Sequence, residues 1–364
     1  MAIKEFYSRT ISLFAVFMLL IGLGMASSYV LSPTQAVAQT GGAVPGGASG
    51  VLSDTEMWRA VRKGVDGTVS IPDQRAATLV QSNGDNLRNF RNGPFLTYSG
   101  YALGGILVVL AAFLAIRGRI RIDAGPAGRE IERFNELERF AHWLTATSFI
   151  VLAITGLNKM YGKIVLMPVV GKDLYASITY FGKLSHNFIG FAFFLGVLLM
   201  LVLWLRHNIP NRHDLKWLAV GGGLFSKGVH PPAKKFNAGQ KFIFWTVIVG
   251  GVSVFLSGLM LMFPYEFSAF AGTFAVINIF GFDLPTTLSP LQETQLALVW
   301  HGFVAVVMIV IIVGHIYIGS IGMEGAFDAV STGYVDENWA REHHGLWVNE
   351  LKGEEPGGHH APAE

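Results

Sequence analysis

The sequence contains six continuous apolar stretches, each long enough to cross a bilayer as a helix. They cover residues 11–31, 96–116, 142–161, 183–205, 241–263 and 296–319. A membrane helix needs about 20 predominantly apolar residues, whereas a membrane barrel shows alternating strands of about 10 residues. Only 14% of the residues are charged, compared with about 25% in soluble domains. The sequence therefore predicts an all-α integral membrane protein.

The first stretch has the features of a signal peptide. A short basic leader precedes it, and the sequence Ala-Val-Ala at 36–38 follows it, as at a signal-peptide cleavage site. We therefore expect a signal peptide at 1–38, with a retained anchor as the alternative. Residues 39–95, which are Gly- and Ala-rich and then polar, form a translocated segment. The stretch 96–116 is the first membrane helix of the mature chain.

The distribution of basic residues predicts the orientation. Loops 117–141 and 206–240 each contain six Lys or Arg residues, loop 162–182 contains two, and loop 264–295 contains none. Because short basic loops stay in the cytoplasm, we expect loop 117–141 and the tail 320–364 to be cytoplasmic. The segment 39–95 is then periplasmic, and the protein spans a bacterial inner membrane several times.

Four of the eleven histidines lie within or at the start of the predicted spans: His142, His186, His301 and His315. Ionisable residues inside membrane helices are rare and usually functional, although any single one can simply bond a neighbouring helix. His301 and His315 are 14 positions apart, so their rings share one helix face and lie about 21 Å apart along the axis. The orientation places His186 with His301 near the outer face, and His142 with His315 near the cytoplasm.

Two histidine pairs at two depths fit two b-type haems. Each iron would take one imidazole from each of two facing helices, and two axial imidazoles favour electron transfer. Glycines near these positions would let a porphyrin approach the backbone, although small residues also favour ordinary helix packing; they are Gly156, Gly190, Gly258 and Gly302. Zinc is disfavoured, because it requires four ligands and each depth offers two histidines.

The absence of cysteine excludes disulfides, iron–sulfur clusters, cysteine nucleophiles and covalently attached c-type haem. The net charge of +2 and the lack of a basic run interleaved with aromatics exclude nucleic acid as a partner. Membrane lipid is the expected environment. A haem-free membrane anchor or a proton-coupled transporter with a histidine relay stays open as a different functional class.

An ordered set of short motifs resembles a known family. These are ERFAHWL at 138–144, TGL at 155–157, SHNFIG at 185–190, NAGQK at 237–241, SG at 257–258, HG at 301–302, GHIY at 314–317 and WAREHH at 339–344. Together they resemble the gamma subunit of membrane-bound formate dehydrogenase, a cytochrome b, over residues 130–350. Residues 1–116 look like the N-terminal extension of its longer members.

The resemblance implies a four-helix transmembrane cytochrome b bundle at 142–319, preceded by one extra N-terminal helix. It implies two haem b groups, an iron–sulfur (beta) subunit, a molybdenum or tungsten catalytic (alpha) subunit that oxidises formate, and a quinone as electron acceptor in anaerobic respiration. The family binds its quinone near the residues that correspond to Asn237, Ala238 and Gly239. Asn237 would donate to a quinone carbonyl, cap a helix, or do both.

Other assignments stay open. The same helix plan occurs in the cytochrome b of hydrogenases and of other molybdenum oxidoreductases. His343 and His344 belong to the polar tail, where we expect exposure to solvent or a subunit contact, with proton delivery to the quinone as the alternative.

Overall fold

A computed structural model describes residues 67–68, 78–80, 83–264 and 266–353. The predicted signal peptide at 1–38 and the chain end from 354 lie outside the described residues. Of the predicted periplasmic segment, the structure describes two short antiparallel strands, β1 (Gly67–Thr68) and β2 (Thr78–Val80), and the residues from 83 onward.

The described chain is otherwise mostly helical. The helices are α1 (Asn83–Phe90), α2 (Leu96–Arg117), α3 (Glu136–Val165), α4 (Met167–Val170), α5 (Lys172–Trp204), α6 (Arg212–Ala219), α7 (Ala238–Trp245), α8 (Gly251–Met262), α9 (Phe270–Asn278), α10 (Pro290–Tyr317), α11 (Asp328–Ser331) and α12 (Glu337–Lys352). Turns of π-helix at Arg91–Phe95, Thr246–Gly250 and Ile318–Gly322 precede α2, join α7 to α8 and follow α10.

Among the described residues, five helical segments are long and apolar enough to cross a membrane, which confirms the predicted all-α membrane fold. They are Asn86–Arg117, Glu136–Val165, Lys172–His207, Ala238–Met262 and Pro290–Gly322. Each extends beyond its apolar run because polar residues continue the helix. At the start of α3, Asn135 Oδ1 accepts from the Glu138 amide (2.9 Å) and Glu138 Oε2 accepts from the Asn135 amide (3.0 Å), a reciprocal cap.

The chain divides into two compact units. The first contains the described residues up to Phe95 together with Thr155–Ile189 and Met262–Leu296. The second contains Leu96–Ile154, Gly190–Leu261 and the described residues from Ala297 onward.

In the first unit, a buried carboxylate holds the start of α9. Glu293 is 1% exposed, and it accepts hydrogen bonds from the Ser268 hydroxyl (3.0 Å) and from the amides of residues 269, 270 and 271 (3.2, 2.8 and 2.9 Å). These amides belong to a helix N-terminus, where backbone donors lack partners within the helix and a negative charge is favourable. Glu293 is therefore a structural anchor of the segment between α8 and α10.

The second unit has an apolar core in which helices approach closely. Phe193, Val197 and Met308 are almost completely buried in it. A Cβ added at Gly250 would lie 2.8 Å from Met308 Sδ, and one added at Gly251 would lie 3.1 Å from Val197 Cγ2. Only glycine permits such contacts without displacing a core side chain.

The polar end of the second unit joins the segment before α3 to the C-terminal helix. Strand β3 (Glu130–Glu132) pairs antiparallel with β4 (Tyr334–Asp336), and Ile120 forms a parallel bridge with Met323. Asp336 accepts from the amides of residues 127 and 128 and also caps α12. Residues 320–353 are thereby held against residues 120–135.

The expectation of a solvated tail is therefore wrong for the described part of this segment. Trp339, His344, Trp347 and Val348 are 3%, 1%, 7% and 0% exposed. The apolar and aromatic side of α12 packs into the second unit and keeps these residues out of water. We refer to residues 120–135 and 323–353 as the polar cap.

Candidate functional site

Two of the four predicted histidines contact each other directly. His142, on α3, and His315, on α10, have ring centroids 6.3 Å apart at an interplanar angle of 63°. Both belong to the second unit. The Nδ1 atom of His142 is buried and has no hydrogen-bond partner among the described residues. The structure thus brings this predicted pair together and leaves one ring nitrogen of His142 unused.

This geometry fits two imidazoles on one metal ion. A metal–imidazole bond is about 2 Å long, so two rings on opposite sides of one ion have centroids roughly 6 Å apart. Among the described residues, no group of three or more His, Cys, Asp or Glu side chains could hold a metal. Two imidazoles are enough protein ligands when a macrocycle supplies the other ligands of the metal ion, as in a b-type haem.

His186 lies on α5, in the first unit. Its Nδ1 is 2.8 Å from the Thr155 hydroxyl of α3, and a Cβ at the neighbouring Gly156 would lie 3.6 Å from the Cε1 of the ring. Two successive residues of α3, Thr155 and Gly156, therefore lie against one edge of the His186 ring.

His301 lies on α10, in the second unit, in a similar environment. Its Nδ1 is 3.1 Å from the Ser257 hydroxyl of α8, and a Cβ at Gly258 would lie 3.5 Å from its Cε1. The adjacent Trp300 donates its indole N–H to the Ser253 hydroxyl at 2.7 Å, which braces α10 against α8. The predicted pairing of His301 with His186 stays a prediction.

The glycines predicted to lie near the haems differ in what an added side chain would contact. A Cβ at Gly190 would meet nothing within 4 Å, so no protein side chain requires a glycine there. At Gly156 and Gly258 the added atom would touch the predicted histidines at ordinary contact distances.

The predicted quinone residues lie at the start of α7. Asn237 is its N-cap: Asn237 Oδ1 accepts from the Gln240 amide (3.0 Å), and Gln240 Oε1 accepts from the Asn237 amide (3.1 Å). Ala238 is buried, and a Cβ at Gly239 would lie 2.9 Å from the Trp217 ring. The capping role of Asn237 is therefore confirmed, and a quinone contact stays a prediction.

Sequence reasoning missed a buried polar network in the polar cap. Arg133 is 2% exposed and donates to Lys235 O (2.6 Å) and His344 Nε2 (3.0 Å), while its guanidinium lies over the rings of Phe134, Trp339 and Trp347. Two tryptophans in an otherwise polar tail were the available signal, because exposed tails seldom contain such large apolar side chains.

His344 is neutral in this network for a geometric reason. Its Nδ1–H donates to Lys234 O (2.8 Å), so its Nε2 must accept from Arg133. Burial lowers the pKa of His344 well below its usual range, and the charge of Arg133 lowers it further. Burial also lowers the pKa of Arg133 to about 9, against a smaller opposing effect of Glu138.

An ion pair between Lys235 and Glu138 stabilises the N-terminal end of α3. Lys235 Nζ lies 2.7 Å from Glu138 Oε1, and the Trp204 indole N–H donates to the same oxygen at 2.8 Å. Glu138, Arg133 and His344 all have protein partners, so these polar groups are used in holding α3, α5 and α12 together.

Comparison with known proteins identifies the family of this chain. A family profile described as "Prokaryotic cytochrome b561" matches residues 133–330, more than half of the chain. The "Formate dehydrogenase, cytochrome b556(fdo) subunit" of Escherichia coli (strain K12) is 30% identical over 223 residues, 61% of this chain and 93% of that protein.

Two further relatives carry similar names. The "Formate dehydrogenase, nitrate-inducible, cytochrome b556(Fdn) subunit" of Escherichia coli (strain K12) is 26% identical over 61% of this chain and 92% of its own length. The "Formate dehydrogenase, cytochrome b556 subunit" of Haemophilus influenzae is 25% identical over 58% of this chain and 79% of its own length. The chain belongs to the prokaryotic cytochrome b561 family, among the cytochrome b subunits of formate dehydrogenases.

Proposed function

We propose that this chain anchors a formate dehydrogenase in the bacterial inner membrane and conducts electrons from an iron–sulfur subunit, through two b haems, to quinone. The observation that carries the proposal is the pair His142 and His315, whose ring centroids are 6.3 Å apart. The buried Nδ1 of His142 has no hydrogen-bond partner in the part of the chain that the structure describes. The names of the relatives, all formate dehydrogenase cytochrome b subunits, support formate as the electron source.

His142 and His315 would hold one haem, and His186 and His301 the other. When bound, a bis-histidine haem supplies reversible one-electron chemistry without an open coordination position. The chain's own residues set the conditions for it. They would supply two imidazoles to each haem, at two depths along the helices.

The basic loops predict which pair lies on which side. With loops 117–141 and 206–240 in the cytoplasm, His142 and His315 lie near the cytoplasm and His186 and His301 near the periplasm. The iron–sulfur and catalytic partners would then deliver electrons at the periplasmic face. Quinone would be reduced beside the start of α7, at Asn237, Ala238 and Gly239. Formate oxidation outside and quinone protonation inside together contribute to the proton-motive force.

Haem counting tests this proposal. The purified chain should show a dithionite-reduced minus oxidised spectrum of b type and two haems per chain in the pyridine haemochrome assay. His315→Ala should retain about one haem. The control variant His230→Ala changes a histidine outside the spans and should retain both. A wild-type chain without haem would contradict the proposal and would favour a haem-free anchor or a transporter.

The electron source needs a separate test, because hydrogenases and other molybdenum oxidoreductases also use membrane cytochromes b. The complex should be purified through a tag on this chain and its haems oxidised. Formate should reduce both haems, and hydrogen should reduce neither. Reduction by hydrogen alone would assign the chain to a hydrogenase.

A further inference from the structure

The same two-residue arrangement occurs at two separate places in the chain. Thr155-Gly156 on α3 contacts His186, and Ser257-Gly258 on α8 contacts His301. In each case the hydroxyl lies within hydrogen-bond distance of Nδ1, and the glycine that follows faces Cε1. We call each arrangement a hydroxyl–glycine clamp. The contacts of each clamp lie within one unit, since Thr155 and His186 belong to the first and Ser257 and His301 to the second.

The direction of the hydrogen bond can be deduced at Ser257. A serine hydroxyl has one hydrogen, and Ser257 Oγ lies 2.9 Å from Ser253 O and 3.1 Å from Val254 O, to which it donates. With its hydrogen directed to one of these carbonyls, the Ser257 oxygen accepts from His301 Nδ1. This requires the hydrogen of the neutral imidazole to be on Nδ1, and it leaves the lone pair on Nε2.

Helix α3 allows the same direction at Thr155. Thr145 and Thr147, also on α3, donate their hydroxyl hydrogens to the carbonyls four residues earlier, at 2.8 and 2.6 Å. A threonine that donates in this way still has a lone pair to accept from His186 Nδ1–H. If His186 binds iron through Nε2, as the proposed function requires, its Nδ1 carries the hydrogen and Thr155 Oγ1 accepts it.

The two clamps contrast with the contact between His142 and His315. The Nδ1 of His142 is buried and has no hydrogen-bond partner among the described residues. Hydrogen bonds from a metal-bound histidine to an acceptor fix its ring orientation and make it a stronger electron donor to the metal. A stronger donor stabilises ferric over ferrous iron and so lowers the reduction potential.

We propose that Thr155 and Ser257 are positioning residues that hold His186 and His301, respectively, with Nε2 towards a haem iron. Each would lower the reduction potential of the haem that its histidine binds below the potential of the haem bound by His142 and His315. The inference rests on the proposed haem binding. With haems bound in this way, electron transfer from a haem at the clamped histidines to the haem at His142 and His315 would be energetically downhill.

The test is a spectroelectrochemical titration of the purified full chain. Ser257→Ala and Thr155→Val remove the acceptors, and each should move the midpoint of the lower-potential haem to a more positive value without moving the other midpoint. Ser257→Thr and Thr155→Ser keep a hydroxyl and should retain the wild-type midpoints. Ser148→Ala is the matched control, since it removes another buried serine hydroxyl of a membrane helix, one without a partner among the described residues.

The outcomes separate this inference from the proposed function. A haem count is taken before each titration, and no haem in the wild type would defeat the proposed function itself. Two haems in every variant with unmoved midpoints would overturn the clamp while leaving haem binding intact. Loss of one haem in Ser257→Ala, with both haems kept in Ser257→Thr and Ser148→Ala, would support the positioning role.

Discussion

His344 of the polar cap and His142 of the membrane helices differ in how their ring nitrogens are used. In the cap, His344 donates from Nδ1 to Lys234 O and accepts at Nε2 from Arg133, so the protein satisfies both nitrogens. In the second unit, the buried Nδ1 of His142 has no hydrogen-bond partner among the described residues. Burial of a polar atom without a partner is costly. His344 therefore serves the fold through both ring nitrogens, whereas the described residues leave Nδ1 of His142 unused.

Removing the partner of His344 would test this comparison most strongly. Arg133→Ala leaves Lys235 O and His344 Nε2 without their buried donor and removes the guanidinium from three aromatic rings. Breaking one side of a buried charged network costs about 4 kcal/mol, so α12 should become sensitive to limited proteolysis at low urea concentrations.

The control for this variant is Arg129→Ala. The Arg129 side chain is 77% exposed and pairs with Glu337 at 3.3 Å, and exposed pairs contribute about 0.5 kcal/mol. Equal protease sensitivity in the two variants would contradict the structural role of the Arg133–His344 contact. Haem content should be the same in both, because neither arginine contacts the histidines of the spans.

Acid should loosen the polar cap through His344. The folded pKa of this histidine lies below its ordinary value of 6.5 because of burial and Arg133. The unfolded chain then binds a proton that the folded chain does not, so stability falls as the pH drops below about 6.5.

Two other titratable groups of the polar cap, His343 and Glu337, affect the pH range over which stability is lost. Burial lowers the pKa of His343 to about 4, with His230 and Arg133 adding to the effect, so His343 contributes with the same sign. The pKa of Glu337 is lowered from 4.5, chiefly by its hydrogen bond to Lys352, so its contribution is lost only at lower pH. Proteolysis of α12 should therefore increase from pH 6.5 to 5, and His344→Asn should flatten this dependence. A wild-type cap with constant protease resistance over this range would contradict the assignment.

Sequence reasoning found the contact between His142 and His315 but missed the network around Arg133. The first could be predicted because each histidine interrupts an apolar helix, and helix geometry and loop charge then fix its depth. The second could not, because Arg133 and His344 are 211 positions apart and meet only after β3 and β4 pair. The hydroxyls of Thr155 and Ser257 were missed for a related reason. Small polar residues are common in membrane helices, and only the packing shows which ones reach a histidine.

The smallest loss of stability is expected at Asn237. This residue tests whether a polar side chain with hydrogen-bond partners inside the protein serves only the fold. Asn237 Oδ1 is used in the cap of α7, as the acceptor for the Gln240 amide. Serine also caps helices well, whereas alanine costs about 1 kcal/mol. Asn237→Ser should therefore retain the stability of the wild type, and Asn237→Ala should lose about 1 kcal/mol, measured by urea denaturation of the purified chain.

Quinone kinetics then separate the two roles of Asn237, because serine keeps the cap but lacks the amide N–H donors. If the amide donates to a quinone carbonyl, Asn237→Ser should raise the KM for quinone about fivefold, as expected for one lost hydrogen bond of about 1 kcal/mol. The rate of haem reduction by formate should not change, since that step precedes quinone. An unchanged KM in Asn237→Ser would make Asn237 a helix cap alone, and its amide would then belong with His344 among the polar groups that serve the fold.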